Sequence, residues 1–408
     1  MKQKCCGSPS RRLCPTLAFL VCAVAIALIA FYGTRTEQAQ LQMMRRILRA
    51  PKPKARALVA NDETHTQGTQ GTCSASASGA SSIKIMTFNT FQIYCLPGVD
   101  KKLFKWIWKC QEPEARTARA ESIGEWFKDR DEDVVLMQEI WSNHDVIRDG
   151  MAAAGFCHYV MTEEKRWIWF SSLHGSGLAL FSKHPIAETS FKYFSVFNPF
   201  DPESYVAAKG VLYVKVMKDN QPVNILNTHT NSDSIGDNHD VRLKQFNIMK
   251  ELIDSKNIPK EELVLIGGDM NEDKDCSVGT CDGVALCENQ MYYNEMLTAL
   301  SADDLEINTE RTNAWTYDTE NNMLLKRLYE TFDCDNYQYS LDYVFVSNNH
   351  QAVQTSSVCE VLHPLSAEGK DLSDHFPMTC VIDFEAAAET LEEHVKEPAT
   401  EKFVVSTL

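Results

Sequence analysis

Polar side chains follow several apolar runs of this sequence at the point where each run ends. An asparagine follows IKIMTF, a glutamate follows VVLMQ and a histidine follows NILNT. An Asp-x-Asn follows LVLIGG, and an Asp-His pair comes just before PMTCVI. Any one of these residues is typical of an ordinary turn, but catalytic groups gather at strand ends and the ordered series indicates a site. The residues of the series are Asn89, Glu139, His229, Asp269, Asn271, Asp374 and His375.

These residue types suit the hydrolysis of a phosphodiester. The reaction requires three things: neutralisation of the negative charge on the nonbridging oxygens, a nucleophilic water, and stabilisation of the departing alkoxide. The amide oxygen of Asn89 and the carboxylate of Glu139 are hard ligands that predict a Mg²⁺ site, with Mn²⁺ as the alternative ion. His375 is the candidate general base, because an imidazole titrates near neutral pH. Asp269 would orient either the attacking water or His375.

The apolar runs alternate with helical patterns, which predicts an α/β or α+β domain with packed sheets. Two amphipathic helices are predicted over residues 114–130 and 240–254. Predicted strands cover residues 83–89, 134–138, 177–182, 210–216, 223–228, 263–268, 341–346 and 377–384.

The ordered segments MTFN, MQEIW, NTHT, GGDMNED, LDYVFV and SDHFP resemble the successive motifs of the endonuclease/exonuclease/phosphatase superfamily. The resemblance spans residues 83–384 and implies a DNase I-like, four-layer sandwich of two β-sheets flanked by helices. Finer details resemble neutral sphingomyelinases: a Leu-Pro at 96–97, VAAKG at 206–210 and NAWTYDTENN at 313–322. The chain lacks the Phe-Arg and Arg residues that inositol phosphate 5-phosphatases and abasic-site endonucleases carry in the matching motifs.

The resemblance also implies roles for the remaining polar residues. Asn271 and His229 would donate hydrogen bonds to the phosphate oxygens in the transition state, and His229 is a candidate to protonate the leaving group. Asp374 would either hold His229 in its tautomer or support a second metal ion. Lys209, in VAAKG, would contact the substrate phosphate. The alternative is that Lys209 is only a solvated residue at the end of a strand.

Together these features predict a metal-dependent phosphodiesterase that hydrolyses sphingomyelin to ceramide and phosphocholine at a membrane surface. The lipid specificity comes from the resemblance. A nuclease or another phosphate-ester hydrolase on the same fold is the alternative enzyme, and a non-catalytic binding module is the alternative class. The net charge of -16 provides no global basic field, so no nucleic acid partner is expected. No obligate protein partner is predicted.

An uncharged segment at residues 13–34 contains an apolar run about as long as a hydrocarbon core is thick. It predicts a single-pass signal-anchor with an extracytoplasmic catalytic domain; a cleaved signal peptide and secretion is the alternative. The segments LFKWIWK and RWIWF interleave tryptophan with cations and predict contact with a lipid headgroup region, with core packing as the alternative. The tryptophans concerned are Trp106, Trp108, Trp167 and Trp169.

The chain is predicted to divide into an N-terminal tail (1–12), the anchor (13–34), a basic then flexible linker (35–82), a catalytic domain (83–385) and an acidic tail (386–408). Ten of the 14 cysteines lie beyond the apolar run, which favours disulfides in an oxidising compartment. Cys95 with Cys110, and the cluster at 276, 281, 287 and 334, have spacings that bridges could close, although pairing cannot be read from sequence.

Overall fold

The protein is described by a computed structural model. The described residues are 65–74, 81–93, 113–162, 175–196, 207–232, 238–274, 280–281, 284–285, 290–307, 315–329, 334–335 and 338–385. All of them belong to the unit formed by Glu63–Cys95 and Lys109–Leu408.

Strands make up most of the regular structure in this part of the chain, and helices connect some of them. The helices are α1 (Pro113–Trp126), α2 (His144–Ala153), α3 (Asn238–Ser255), α4 (Gln290–Leu300) and α5 (Met323–Tyr329), with a 3₁₀ turn at Phe127–Asp129. The strands are β1 (His65–Thr69), β2 (Ser82–Asn89), β3 (Val134–Gln138), β4 (His158–Thr162), β5 (Ala179–Ser182), β6 (Ile186–Tyr193), β7 (Gly210–Lys218), β8 (Gln221–His229), β9 (Leu263–Asp269), β10 (Thr280–Cys281), β11 (Val284–Ala285), β12 (Ala302–Asp303), β13 (Glu306–Ile307), β14 (Tyr317–Asp318), β15 (Cys334–Asp335), β16 (Gln338–Tyr339), β17 (Asp342–Ser347), β18 (Val358–Val361) and β19 (Met378–Asp383).

Two large mixed sheets organise these strands. The first has the order β1-β4-β5-β3-β2-β19-β18-β13, and the second has the order β12-β17-β9-β8-β7-β6. Each sheet contains a central parallel pair, β2 with β3 in the first and β8 with β9 in the second. Antiparallel partners flank both pairs, including β19 beside β2 and β17 beside β9. The eight predicted strands correspond to β2, β3, β5, β7, β8, β9, β17 and β19.

The alternation of side chains along the central strands explains the layers. In β9, Leu263 and Leu265 face the core between the two sheets, whereas Val264 and Ile266 face α3 and α4. In β2, Ile83 and Ile85 face the same central core, and the following apolar residues pack against α1 and α2. Both faces of these strands are buried, as continuous apolar runs require. The result is the predicted order of helices, sheet, sheet and helices.

Residues 65–74 differ from the flexible linker predicted there. Strand β1 pairs antiparallel with β4, so that His65 stands opposite Thr162 and Thr69 opposite His158. A disulfide between Cys73 and Cys157 joins the same two segments. The sequence HTQGT has no apolar periodicity, and only its pairing partner reveals it as a strand. Strand β1 therefore packs with the domain that the sequence analysis begins at residue 83.

Two disulfides join described residues, at positions for which the spacing suggested no bridge. Besides Cys73–Cys157, a disulfide joins Cys359 to Cys380, which stand opposite each other in β18 and β19. The backbone register places position 281 opposite position 334 across β10 and β15. The other predicted bridging positions, 95, 110, 276 and 287, lie outside the described residues.

None of the described helices is both long and apolar enough to cross a lipid bilayer. The predicted anchor at residues 13–34 and the acidic tail at 386–408 both lie outside the described part of the chain.

Candidate active site

The strand register brings the predicted polar residues to one end of both sheets. Asn89 pairs with Gln138 at the end of β2 and β3, and His229 pairs with Asp269 at the end of β8 and β9. Glu139 follows Gln138 directly. We call this end, defined by Asn89, Glu139, His229 and Asp269, the catalytic end.

Asp269 lies at the centre of the group. Its Oδ2 accepts a hydrogen bond of 2.9 Å from Nδ2 of Asn89 and lies 3.5 Å from Nε2 of His229. The same oxygen is 3.9 Å from Nε2 of His375. His229 Nε2 lies 3.9 Å from Oε1 of Glu139. Residues separated by up to 286 positions, Asn89 to His375, thus share one polar cluster.

His375 forms a buried pair with a residue that the sequence analysis did not select. Its Nδ1 lies 2.8 Å from Oδ2 of Asp342, the first residue of β17. The two residues are 6% and 0% exposed, so that solvent screens their interaction little. Burial alone would lower the pKa of His375, but the charges of Asp342 and Asp269 outweigh burial and raise this pKa to about 10. Nδ1–H therefore donates to Asp342, and Nε2 faces Asp269.

His229 has a different environment. Its Nε2 accepts a hydrogen bond of 2.8 Å from Nζ of Lys209, and its ring lies beside the indole of Trp141. Burial, followed by the positive charge of Lys209, lowers the pKa of His229 well below its ordinary value. His229 Nδ1 forms no hydrogen bond with any described residue, so Asp374 does not fix its tautomer through that atom. The charge of Asp374 acts instead on His375 and Arg119.

Two of the candidate residues have a backbone conformation that L-residues rarely adopt. Glu139 has φ of 57° and Asn271 has φ of 49°. Asn271 is held there by a bond of 3.1 Å from its backbone N to Oδ1 of Asp269 and by a bond of 3.2 Å from its Nδ2 to the carbonyl oxygen of Thr230. Left-handed backbone at non-glycine residues clusters at functional sites, where the surrounding structure supports it.

Gly268 explains how β8 and β9 approach each other just before Asp269. It has φ of 139°, and an added Cβ would lie 2.1 Å from the carbonyl oxygen of Thr228. No side chain fits there, so the second glycine of GGD positions Asp269 beside His229.

The donor set fits a divalent cation held by oxygen ligands. A carboxylate oxygen of Asp269 and one of Asp342 lie within 4.8 Å of each other and of a ring nitrogen of His375. Oδ1 of Asp342 is buried and forms no hydrogen bond with a described residue. Burial, followed by the negative charge of Asp342, raises the pKa of Asp269. Buried carboxylates of this kind are stabilised by a cation, and Asn89 and Glu139 add two further oxygen donors.

The sequence analysis missed Asp342 and Arg119 at this end of the molecule. Asp342 is the first residue of an antiparallel strand, whereas most of the predicted site residues follow strands. Its signal in the sequence is its place at the head of DYVFV. Arg119 lies in α1 and its guanidinium reaches the carbonyl oxygens of Thr90 and Leu372. Nothing in the local sequence distinguishes it from a surface arginine.

The four tryptophans predicted to contact lipid, Trp106, Trp108, Trp167 and Trp169, lie outside the described residues.

Comparisons with known proteins agree with this geometry. The profile of the Endonuclease/Exonuclease/phosphatase family matches residues 86–375. A protein named sphingomyelinase C from Listeria ivanovii is 31% identical over 228 residues, which are 52% of this chain and 61% of that protein. A sphingomyelinase C from Bacillus cereus is 27% identical over 342 residues, 77% of this chain and 93% of that protein.

The crystal structure of SmcL superposes with a TM-score of 0.56 at 25% identity, over 75% of this chain and 100% of the other. This likeness confirms the DNase I-like fold, and the named relatives confirm the resemblance to sphingomyelinases. The chain spans less than two thirds of the length of the Listeria relative. Because the family profile covers most of the folded domain, the chain belongs to the endonuclease/exonuclease/phosphatase family.

Proposed function

We propose that this protein is a Mg²⁺-dependent phosphodiesterase that hydrolyses sphingomyelin to ceramide and phosphocholine. The observation that carries the proposal is the convergence of Asn89, Glu139, His229 and His375 around Asp269. The substrate class rests on relatives named sphingomyelinase C, to which the chain is 31% and 27% identical over the matched residues.

His375 is the proposed general base. Its Nδ1–H donates to Asp342, which leaves Nε2 to accept a proton from the attacking water. The 3.9 Å between Nε2 and Oδ2 of Asp269 is too long for a direct hydrogen bond and suits a bridging water. The water oxygen bonds to phosphorus, the bond from phosphorus to the ceramide oxygen breaks, and the proton of the water goes to Nε2. The ceramide oxygen takes a proton from solvent water.

His229, Asn271 and Lys209 are the proposed phosphate contacts. The low pKa of His229 favours the neutral imidazole, which accepts a hydrogen bond from Lys209 rather than giving a full proton to the leaving group. Lys209 lies 2.8 Å from Nε2 of His229 and adds positive charge at the same place. These donors stabilise negative charge as it builds on the phosphate oxygens.

Glu139 and Asn89 are the proposed first ligands of Mg²⁺, with Asp269 beside them. When bound, the ion supplies positive charge to the nonbridging oxygens and to the departing alkoxide. The pKa of His375 would be lower with a cation bound, because the positive charge would offset the negative charges of Asp342 and Asp269. Oxygen donors that leave several coordination positions open are typical of Mg²⁺ sites, and Mn²⁺ is the alternative ion.

The proposed setting is the outer face of a membrane. The disulfides Cys73–Cys157 and Cys359–Cys380 indicate an oxidising compartment. The apolar segment at 13–34 is the proposed anchor, with a cleaved signal peptide as the alternative. Trp106, Trp108, Trp167 and Trp169 are the proposed contacts with lipid headgroups.

The test is the release of phosphocholine from sphingomyelin vesicles by the full-length chain. We expect release with Mg²⁺, background release with EDTA, and recovery when Mg²⁺ is restored. Glu139→Gln removes a ligand charge and is expected to bind Mg²⁺ more weakly in calorimetry. Cleavage of plasmid DNA without release of phosphocholine would instead establish a nuclease.

A further inference from the structure

Arg119 occupies an unusual place for an arginine. It lies on α1 between the buried residues Arg116 and Ala120 and is only 7% exposed, near the apolar core that α1 forms with the first sheet. A buried guanidinium must find hydrogen-bond acceptors, because leaving its donors unpaired costs free energy. The acceptors that it finds belong to the loops of the catalytic end.

Arg119 joins two loops that are distant in sequence. Nη1 donates to the carbonyl oxygens of Thr90 at 2.6 Å and Leu372 at 2.8 Å, and Nη2 donates to the carbonyl oxygen of Phe91. Thr90 and Phe91 follow Asn89, and Leu372 precedes His375 by three residues. One side chain therefore connects the loop that carries a proposed metal ligand to the loop that carries the proposed base.

Ser373 forms a second connection between the same loops. Its Oγ donates a bond of 2.6 Å to the carbonyl oxygen of Asn89. The Asn89 loop is tied in turn to the Glu139 turn, because the backbone N of Thr90 donates to the carbonyl oxygen of Gln138 and that of Gln92 donates to the carbonyl oxygen of Glu139. The positions of the metal ligands and of the base are thus linked through this set of bonds.

Charge supports the same arrangement. Burial lowers the pKa of Arg119 to about 10, while the negative charges of Asp374 and Glu139 oppose that change. The guanidinium remains protonated at neutral pH and attracts both carboxylates toward the loops that it connects.

We propose that Arg119 is a positioning residue, which fixes the separation between the Asn89 loop and the His375 loop by bonding both at once. The inference rests on the proposed phosphodiesterase function. The planar fork of a guanidinium reaches acceptors in several directions, whereas the ammonium of lysine is a point donor that lacks this geometry. Charge alone therefore does not replace Arg119.

The test compares Arg119→Lys with Arg116→Lys in the full-length chain. Arg116 lies on the same helix, is 6% exposed and donates to the carbonyl oxygen of Ile93 in the Asn89 loop, whereas Arg119 bonds that loop and the His375 loop at once. We expect kcat of Arg119→Lys to fall about 100-fold with KM nearly unchanged, because small misplacements of reacting groups cost rates of that order. Arg116→Lys is expected to keep kcat within about twofold.

A second readout does not depend on substrate. Hydrogen exchange of the amides of Thr90, Gln92 and His375 is expected to accelerate in Arg119→Lys but not in Arg116→Lys, and Mg²⁺ is expected to bind Arg119→Lys more weakly in calorimetry. If the wild-type chain releases no phosphocholine, the proposed function fails, whereas exchange and Mg²⁺ binding still test Arg119.

Equal losses in both lysine variants, or normal kcat in a folded Arg119→Lys, would overturn the inference. If Arg119→Lys does not fold, Ser373→Ala removes the second connection between the loops. We expect about a tenfold lower kcat from this loss of alignment, and unchanged kcat and amide exchange would overturn the inference equally well.

Discussion

Histidine–aspartate pairs of nearly the same geometry lie at opposite ends of the sheets. At the catalytic end, His375 Nδ1 is 2.8 Å from Oδ2 of Asp342. At the other end, where β3 starts and β5 finishes, His184 Nε2 is 2.9 Å from Oδ1 of Asp133. All four residues are buried.

The two aspartates differ in what their second oxygen does. Oδ2 of Asp133 accepts a hydrogen bond of 2.9 Å from the backbone N of Lys84, so the protein satisfies both oxygens. Oδ1 of Asp342 bonds to no described residue, and a second carboxylate, Asp269, lies close to the same histidine. When the protein hydrogen-bonds both carboxylate oxygens of an Asp–His pair, the pair stabilises the fold. When one oxygen is not bonded by the protein and lies near another carboxylate, the pair is suited to binding a cation and acting on a substrate.

The largest predicted difference is in kcat, between a variant that lacks His375 and a variant that lacks His184. His375→Ala is expected to lower kcat about 10,000-fold, because the proton acceptor for water is lost. His184→Ala should leave kcat within about twofold. Initial rates of phosphocholine release, measured at saturating Mg²⁺, check both values. Near-normal turnover by His375→Ala would remove this residue from the mechanism.

Asp342→Asn tests the pair formed by His375 and Asp342 with a nearly isosteric change. The amide removes the charge that raises the pKa of His375 and no longer selects the tautomer with a free Nε2. We expect kcat to fall about 100-fold and the acidic limb of the pH–rate profile to move to lower pH. A profile with an unchanged acidic limb would assign that limb to another group.

The stability of the metal-free protein should depend on pH through His375. Its folded pKa, about 10, lies above the ordinary value of 6.5, so the bound proton stabilises the fold fully below pH 6.5 and this contribution is lost as pH rises toward 10. The difference in free energy of unfolding between wild type and His375→Gln is therefore expected to shrink over that range. Denaturant unfolding in EDTA measures it. Asp342→Asn is the matched control and should show a weaker pH dependence.

The smallest effect is expected when the pair formed by His184 and Asp133 is broken. His184→Ala leaves one oxygen of Asp133 without its histidine partner but keeps the bond from Lys84. The loss in free energy of unfolding should be about 1–3 kcal/mol, the typical cost of leaving a buried acceptor unpaired. A loss of activity without a loss of stability would show that the two ends of the molecule are coupled.

Much of the site was predictable because its residues follow apolar strands. Asn89, Glu139, His229 and Asp269 each come at the carboxyl end of a strand in a parallel pair, and parallel strands finish at the same end. Asp342 was not predicted, because β17 runs antiparallel to β9 and therefore places its first residue, not its last, opposite Asp269. Direction of pairing is a tertiary property that the local pattern does not contain.

The parts of the fold that were not predicted depend on partners distant in sequence. Strand β1 is polar and becomes a strand only by pairing with β4. The disulfide Cys359–Cys380 follows from the register of β18 with β19, which spacing alone does not specify. Arg119 was missed for the same reason, because its acceptors belong to loops on other elements.

The pairing of β1 with β4 also decides which fragment of this protein can be studied in isolation. A polypeptide that starts at residue 83 would lack β1 and Cys73, and the backbone groups of β4 that β1 covers would face water. Uncovered strands of this kind recruit neighbouring molecules and promote aggregation. Recombinant domains that begin ahead of His65 should therefore remain monodisperse, while shorter ones precipitate.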